Sequence, residues 1–451
     1  MADRLAATGV LLVGGASERF GSPKALASLG GETLAERGWR LLQETCAEVI
    51  AVGKASDGLE LPFTVVDDDA EERAPVFGVI AGLRAASHDD ALVLPVDCPL
   101  LTPEALRALA EAGGVPQTGP LPGVYTKAML PELASRTARG ELTLRGVNEH
   151  VLELDEALLL NVNSRNDLLV AAVVDWARET DDVRGVLLVG SRARRDSPAD
   201  RWSDLDLVLF VDEPGRYARD AEWVARFGTP VLTFLESTSV GDRVERRVLY
   251  EDGVDVDFPL FETTASRDLA AAAGADVVLA RGYLVLHDEI GIEDVLAELA
   301  APERRALPDA AALMQLASDF WHHGLWAAKK LRRGEVFTAI SCLDGYMKCR
   351  LLELLEWHAR AVDPYVDTWH NGRFLERWAD PGALAALERA YAHYDLRDVA
   401  RALWETLDLF QGLEAETAAR LGLDHPLDHA DLRRRIAEVV PDPRSASTLW
   451  P

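Results

Sequence analysis

The sequence predicts an α/β protein in three successive parts: a parallel sheet with helices on both faces, a smaller mixed α+β sheet, and an all-α bundle. Three observations carry this. Residues 8–170 alternate short apolar runs with amphipathic stretches, the pattern of strands joined by crossover helices. Residues 182–261 place strand-like runs at closer spacing. From about residue 303 the strand signals stop and apolar residues recur at helical period.

In chain order, TGVLLVG (8–14), AEVIAVG (47–53), ALVLPVD (91–97) and LLLNVN (158–163) read as buried strands, with helices over 33–45 and 103–113. PVFGVIAGL (75–83) reads as a small-residue loop. Ser164 suits an N-cap, and the stretch from it to Thr180 holds neither Gly nor Pro. One helix is therefore expected to join the first sheet to the second as a stiff connection. VRGVLLVG (183–190), DLDLVLFV (204–211), TPVLTFLE (229–236), RVERRVLY (243–250) and DVDFPLF (255–261) read as the second set of strands, with a helix over 217–227. Residues 309–333, 335–360, 383–393 and 395–421 read as helices. The domain boundaries expected from this are 1–166, 167–302 and 303–440, with 441–451 as a disordered tail.

The chain has 451 residues, enough for roughly three domains at ~150 residues each. Its 47 Lys+Arg against 75 Asp+Glu give a net charge of −28. That balance argues against general nucleic-acid binding, which needs a positive surface, and favours a cationic partner. The longest apolar runs fall far short of the ~18 residues of a membrane span. The N-terminus lacks a signal-peptide pattern. The four cysteines (Cys46, Cys98, Cys342, Cys349) form no CxxC motif. These features fit a cytoplasmic protein.

The first chemical constellation follows the first strand, in Gly14-Gly15-Ala16-Ser17-Glu18-Arg19-Phe20-Gly21-Ser22-Pro23-Lys24. Glycines bring backbone N–H groups close to phosphate oxygens, and Arg19 and Lys24 add positive charge there. The spacing matches neither GxxxxGK[ST] nor GxGxxG. A bare glycine turn with two surface cations would read the same way, but further residues favour phosphate. Asp97 ends a strand, where a carboxylate can hold Mg²⁺ over the sheet edge. Asn161 and Asn163 precede the joining helix, where amides can help coordinate an ion or a ligand; alone, they would be turn residues.

Together, LLVGGASERFGSPKAL, PVFGVIAGL, LVLPVDCPLLTPEAL, GPLPGVYTKAMLPEL and NVNSRNDL resemble the molybdenum cofactor guanylyltransferase family and its nucleotidyltransferase relatives. The resemblance implies a Rossmann-like domain. It also implies Mg²⁺-dependent transfer of a nucleotide from GTP or a related NTP to a molybdopterin-like phosphate. By the same match Gly14, Gly15, Ser17, Arg19 and Lys24 would hold the nucleotide phosphates, with Lys24 also catalytic. Asp97 would carry the metal, with Asn161 and Asn163 beside it. Relatives that use cytidine nucleotides or sugar-phosphate acceptors leave the base and the acceptor open.

The second constellation is Gly190-Ser191, then Asp204-Leu205-Asp206 at the start of a strand, then Asp257 further on. Period two puts Asp204 and Asp206 on one face and Leu205, Leu207 and Leu209 on the other. Asp255 and Asp257 also share a parity, and Asp257 is deeper in its strand. Carboxylates that share a face repel unless a cation lies between them, and three converging ones suit Mg²⁺ ions that clamp a triphosphate.

This GS…DxD…D set resembles the DNA polymerase β-type nucleotidyltransferases. With RGYLVLHDEIG, DFWHHGLWAAKKLRRGEVFTAISCLDGYMKCRLLELLEW and WHNGRFLERW, it resembles the aminoglycoside 6-adenylyltransferases over about residues 168–440. The resemblance implies a polymerase β-type catalytic domain followed by a helical substrate-binding domain. The implied reaction transfers AMP from ATP to a hydroxyl of an aminoglycoside such as streptomycin. Asp204, Asp206 and Asp257 would be metal ligands, and Gly190, Ser191 and Arg192 nucleotide contacts.

A sugar hydroxyl has a high pKa and gains from a general base. Asp319, beside Phe320 and Trp321, is the candidate, against the reading of a solvated helix acid. Trp321, Trp326 and Trp369 are candidate aromatic walls for a cationic acceptor, against the reading of core residues. His322 and His323 diverge by about 100° on a helix, which argues against a shared ion. Lys329 reads either as a phosphate contact or as a surface cation. The combined expectation is a bifunctional transferase fusion. The alternatives are that one half senses nucleotide and regulates the other, or that both act on other acceptors. The sequence does not set the oligomeric state.

Overall fold

The structure, a computed structural model, describes residues 4–14, 20, 23–194, 199–200, 202–238, 243–265, 278–298, 306–369, 371–424 and 427–444. The first apolar run forms β1 (Leu5–Leu12), flanked by α1 (Leu34–Thr45) and α2 (Pro75–Ala85). Alternate residues of β1 enter different cores. Leu11 packs in a cluster with Leu34, Leu41 and Leu42 of α1. Val10 and Leu12 pack with Val76, Val79 and Leu83 of α2. A strand buried on both faces needs apolar residues at every position, and that is why the run is continuous.

β2 (Cys46–Gly53), β3 (Val65–Asp67), β4 (Asp90–Pro95) and β5 (Gly123–Thr126) complete this sheet in the order β3-β2-β1-β4-β5. The β1–β2, β2–β3 and β1–β4 pairs are parallel, and β5 is an antiparallel edge. A further helix, α3 (Pro103–Ala112), follows β4. Two local expectations are corrected. PVFGVIAGL is the helix α2, because Pro75 sits in its first turn, where no N–H is required. LLLNVN is not a strand. Glu156–Leu159 is a 3-10 turn started by the Asp155 side chain, and the chain then passes Asp97, with Val162 N donating to Asp97 O at 2.8 Å.

α4 (Arg165–Arg178) starts where the Ser164 side chain accepts from Asp167 N. It is built into both sheets. Asp175 pairs with Arg37 of α1 at 2.7 Å. Trp176 stacks on Trp223 at 5.5 Å and meets Tyr217 and Phe227 edge-on. One hydrophobic cluster runs from Leu11 and Leu94 through Val170 and Val174 to Leu207 and Phe258. The helix is thus a packed element of one core.

The second sheet comprises β6 (Val183–Val189), β7 (Leu205–Val211), β8 (Pro230–Ser237), β9 (Val244–Tyr250), β10 (Asp255–Glu262) and β11 (Leu284–Asp288). Its order is β8-β9-β10-β7-β6-β11. β7 and β10 run parallel, which brings Asp206 into register with Asp257. The expected helix over 217–227 is broken in two, Pro214–Arg219 and a 3-10 turn at Glu222–Arg226. The Asp220 side chain accepts from Glu222 N and turns the chain between them.

Contacts divide the chain into two compact units, Met1–Pro302 and Glu303–Pro451. The second is helical. α5 (Ala310–Arg332) and the later helix Leu396–Leu421 meet through Phe320 and Phe410, stacked at 3.6 Å. A π-helical turn at Ser341–Met347 leads into α6 (Lys348–Val362). The helix predicted over 383–393 runs Pro381–Ala390, and a helix at His429–Val439 was not anticipated. The start of the expected disordered tail is anchored, since Arg444 pairs with Asp408 at 2.8 Å and Glu405 at 2.9 Å. Residues 445–451 lie outside the described residues. Among the described residues, no helix is long and apolar enough to cross a membrane.

Candidate active sites

The first site lies at the carboxyl ends of β1, β2 and β4, where open parallel sheets bind ligands. A cavity of about 600 Å³ opens there, lined in part by Gly14, Lys24, Lys54, Asp68, Gly78 and Asp97. Lys24 Nζ lies 3.3 Å from Asp97 Oδ2 and donates to Asn163 Oδ1 at 2.7 Å. The Asn161 amide, oriented with its nitrogen toward Asp97, donates to Oδ1 at 2.9 Å and to Oδ2 at 3.2 Å. Lys24, Asp97, Asn161 and Asn163 therefore come together from three distant stretches of chain. The two amides are hydrogen-bond partners of Asp97 and Lys24. Gly15, Ser17 and Arg19 lie outside the described residues.

Sequence reasoning missed the opposite wall of this cavity. Lys54 pairs with Asp68 at 2.9 Å, both side chains being about nine-tenths buried. Arg73 pairs with Asp57 beside it. The available signal was the rarity of lysine: of the six in the chain, at 24, 54, 127, 329, 330 and 348, two line this cavity.

The second site stands on the second sheet. Oxygens of Asp204, Asp206 and Asp257 all lie within 4.8 Å of one another. Leu205, Leu207 and Leu209 are fully buried behind them. Asp257 is buried while Asp255 is exposed, which separates two acids of equal parity. Burial, reinforced by the charges of Asp204, Asp257 and Glu245, pushes Asp206 up to about 7. Burial pushes Asp257 up to about 6, against the pull of Arg247. A hard divalent cation fits this all-oxygen donor set and would relieve both the burial and the repulsion.

The Gly190-Ser191-Arg192 turn follows β6 directly. Gly190 has φ +70°, and a Cβ on it would lie 1.9 Å from Asp206 Oδ2. Glycine is required here for its backbone conformation and for the space it leaves to the carboxylate. Gly190→Ala is expected to lower stability by about 1–3 kcal/mol through backbone strain. By displacing Asp206 it should also slow nucleotidyl transfer at this site about 100-fold. Urea denaturation and initial rates check the two effects; a variant with wild-type rate would show that the close approach is unimportant.

Ser191 is buried and its Oγ donates to Asp204 O at 3.4 Å, tying the turn to β7. Arg192 is held by two residues that were not anticipated. The Asn166 amide, oriented with its oxygen toward the guanidinium, accepts from Nη2 and from Nε. Asp167 Oδ1 stands 4.0 Å from Nη1. Arg247 and Glu245 were also missed. Arg247 Nε donates to Asp257 Oδ1 at 2.6 Å. Glu245, two residues before it on β9, is pushed up to about 7 by burial and by Asp257.

Asp319 belongs to the second unit. Its Oδ2 accepts from Tyr346 Oη at 2.7 Å, and its Oδ1 lies 2.9 Å from His323 Nδ1. It is thus part of a side-chain network rather than a solvated acid. His322 is exposed and shares no partner with His323 among the described contacts. Trp321 is core, at 1% exposure. Trp326 is exposed, with Lys330 Nζ 5.1 Å from its ring centroid. Trp369 packs edge-on against Phe374, and Lys329 is exposed.

A glycine-serine turn against three strand carboxylates, and a lysine–aspartate pair at the edge of a parallel sheet, define an enzyme of the nucleotidyltransferase class. The chain belongs to the streptomycin adenylyltransferase family, whose model matches residues 164–437, and through its N-terminal part to the MobA-like NTP transferase family, matched over residues 9–153. It is similar to the aminoglycoside 6-adenylyltransferase of Bacillus subtilis, with 23% identity over 56% of this chain and 90% of that protein. It is also similar to a probable molybdenum cofactor guanylyltransferase of Pelotomaculum thermopropionicum, with 33% identity over 38% of this chain and 86% of that protein. A solved aminoglycoside 6-adenyltransferase from Bacillus subtilis aligns at 18% identity and a TM-score of 0.31, covering 59% of this chain and 95% of that one.

Proposed function

We propose that the chain is a bifunctional nucleotidyltransferase. Its first site transfers a nucleotide from GTP, or a related NTP, to a molybdopterin-like phosphate. Its second transfers AMP from ATP to a hydroxyl of a cationic aminoglycoside such as streptomycin. The single observation that carries the second assignment is the convergence of Asp204, Asp206 and Asp257 beside the Gly190-Ser191 turn.

In the second site the three aspartates would hold Mg²⁺, which when bound supplies charge neutralisation for the triphosphate and the departing pyrophosphate. The turn presents backbone N–H groups to the phosphates, and Arg192 adds a fixed guanidinium. Arg247 keeps the Asp257 carboxylate oriented. In the first site Lys24 would exchange Asn163 for phosphate oxygens, while Asp97, oriented by Asn161, would carry the metal. A phosphate acceptor is already anionic and needs little base catalysis. The net charge of −28 supports a polycationic acceptor for the other half by favouring its approach.

The test is incubation with ATP, Mg²⁺ and streptomycin. Pyrophosphate release together with an adenylylated product by mass spectrometry is the expected result. Pyrophosphate release with some other hydroxyl acceptor, and no product from streptomycin, would remove the aminoglycoside assignment and leave the transferase chemistry standing.

A further inference from the structure

The two sites are joined by a short run of polar residues at the start of α4. On the first site, Asn161 donates to Asp97 and Asn163 accepts from Lys24 at 2.7 Å. One turn further on, Asn166 and Asp167 face Arg192 of the second site. Asp167 connects the two groups. Its Oδ2 accepts the backbone N–H of Asn163 at 2.9 Å, and its Oδ1 stands 4.0 Å from Arg192 Nη1. Its own N–H donates to Ser164 Oγ at 3.3 Å, which holds it at the helix start. The Asp167 and Arg192 side chains are only 23% and 17% exposed, so solvent and salt screen this pair weakly.

We propose that Asp167 is a positioning residue shared by both sites, so that nucleotide bound at the first site changes the affinity of the second for its own nucleotide. The proposal rests on the reading of both sites as nucleotide sites. The Lys24 ammonium donates both to Asp97 and to Asn163. Triphosphate oxygens are stronger partners for it than the Asn163 amide, because both members of the new pair are charged. Filling the first site therefore draws the ammonium toward the triphosphate and loosens its hold on the Asn163 side chain. The backbone N–H of the same residue is the one that Asp167 accepts. The Asp167 carboxylate is divided between that N–H and Arg192, and a looser hold on one side shifts it toward the other. Arg192 is the third residue of the turn that carries Gly190 and Ser191, so its displacement is felt where the second triphosphate would sit. Thermodynamic linkage requires the effect to be reciprocal.

The experiment is isothermal titration of the full chain in Mg²⁺ with non-hydrolysable GTP and ATP analogues. Each analogue is titrated alone and against protein saturated with the other. The expected result is two nucleotides per chain, with the affinity of each site shifted about five-fold or more by occupancy of the other, and by the same factor in both directions. Asp167→Asn keeps the shape and the N–H contact but removes the charge facing Arg192; both sites should still bind, with the coupling factor reduced to one. Asn163→Ala, at an exposed position, cuts the Lys24 link instead and should have the same effect on the coupling factor. A merely structural role for Asp167 would change single affinities or melting temperature without changing that factor. Two bound nucleotides with independent affinities, or coupling that survives in both variants, would overturn the proposal and leave the two-site reading intact. A stoichiometry of one nucleotide would overturn both.

Discussion

Asp206→Asn is expected to slow nucleotidyl transfer at the second site by about 10³-fold or more, a barrier increase of roughly 4 kcal/mol. The same change should make the metal-free protein more stable at pH 8. The two effects have one cause. Asp206 sits among Asp204, Asp257 and Glu245, and burial with these charges pushes it up to about 7. An acid whose folded-state pKa is raised stabilises the fold fully below its unfolded value of 3.8 and loses that contribution as pH rises through about 7. Asp257, pushed up to about 6, acts in the same direction over a narrower window. In metal chelator, the melting temperature of the wild type should therefore fall from pH 4 to pH 8 more steeply than that of Asp206→Asn. Adding Mg²⁺ at pH 8 should restore stability to the wild type, since the ion binds only the folded site, and restore little to the variant. A variant within ten-fold of wild-type activity, or one less stable than wild type at pH 8 without metal, would contradict this account of the triad.

Asp97→Asn is expected to abolish transfer at the first site, by about 10²–10³-fold, and to leave the second reaction unchanged. The substitution keeps side-chain volume and an oxygen for Lys24. It removes the charge that would hold a metal ion at the sheet edge, and replaces one of the two oxygens that accept from Asn161 with an NH2 group, which cannot accept. Measuring pyrophosphate release with GTP and a phosphate acceptor, and separately with ATP and a hydroxyl acceptor, isolates the effect. If Asp97→Asn and Asp206→Asn each abolished both reactions, the chain would contain one composite centre rather than two.

Much of this was legible along the chain. The parity of Asp204 and Asp206 against Leu205, Leu207 and Leu209 follows from the two-residue period of a strand, and the structure places those side chains accordingly. The order of apolar runs outlined both sheets and the helical part. Ser164 and the Gly- and Pro-free stretch behind it marked α4. The misreadings fall where a short apolar run supports more than one conformation. LLLNVN has the composition of a buried strand, yet Asp155 turns it before a ladder can form. PVFGVIAGL is rich in small residues, yet Pro75 begins a helix. The acids of 217–227 hid a break, because Asp220 can bond its own backbone two residues on.

Other features lay beyond any reading along the chain. That Arg247 meets Asp257 depends on the register of β9 against β10. That Asp257 lies level with Asp206 depends on the parallel register of β10 with β7. That Lys24 reaches Asn163, and Asp167 faces Arg192, depends on how α4 lies against both sheets. The sequence by itself determined which residues could do chemistry and which face of their own strand or helix they occupy, because periodicity is a local property of one stretch of backbone. Tertiary structure decided which of them meet, because register and packing depend on apolar surfaces far apart in the chain finding one another.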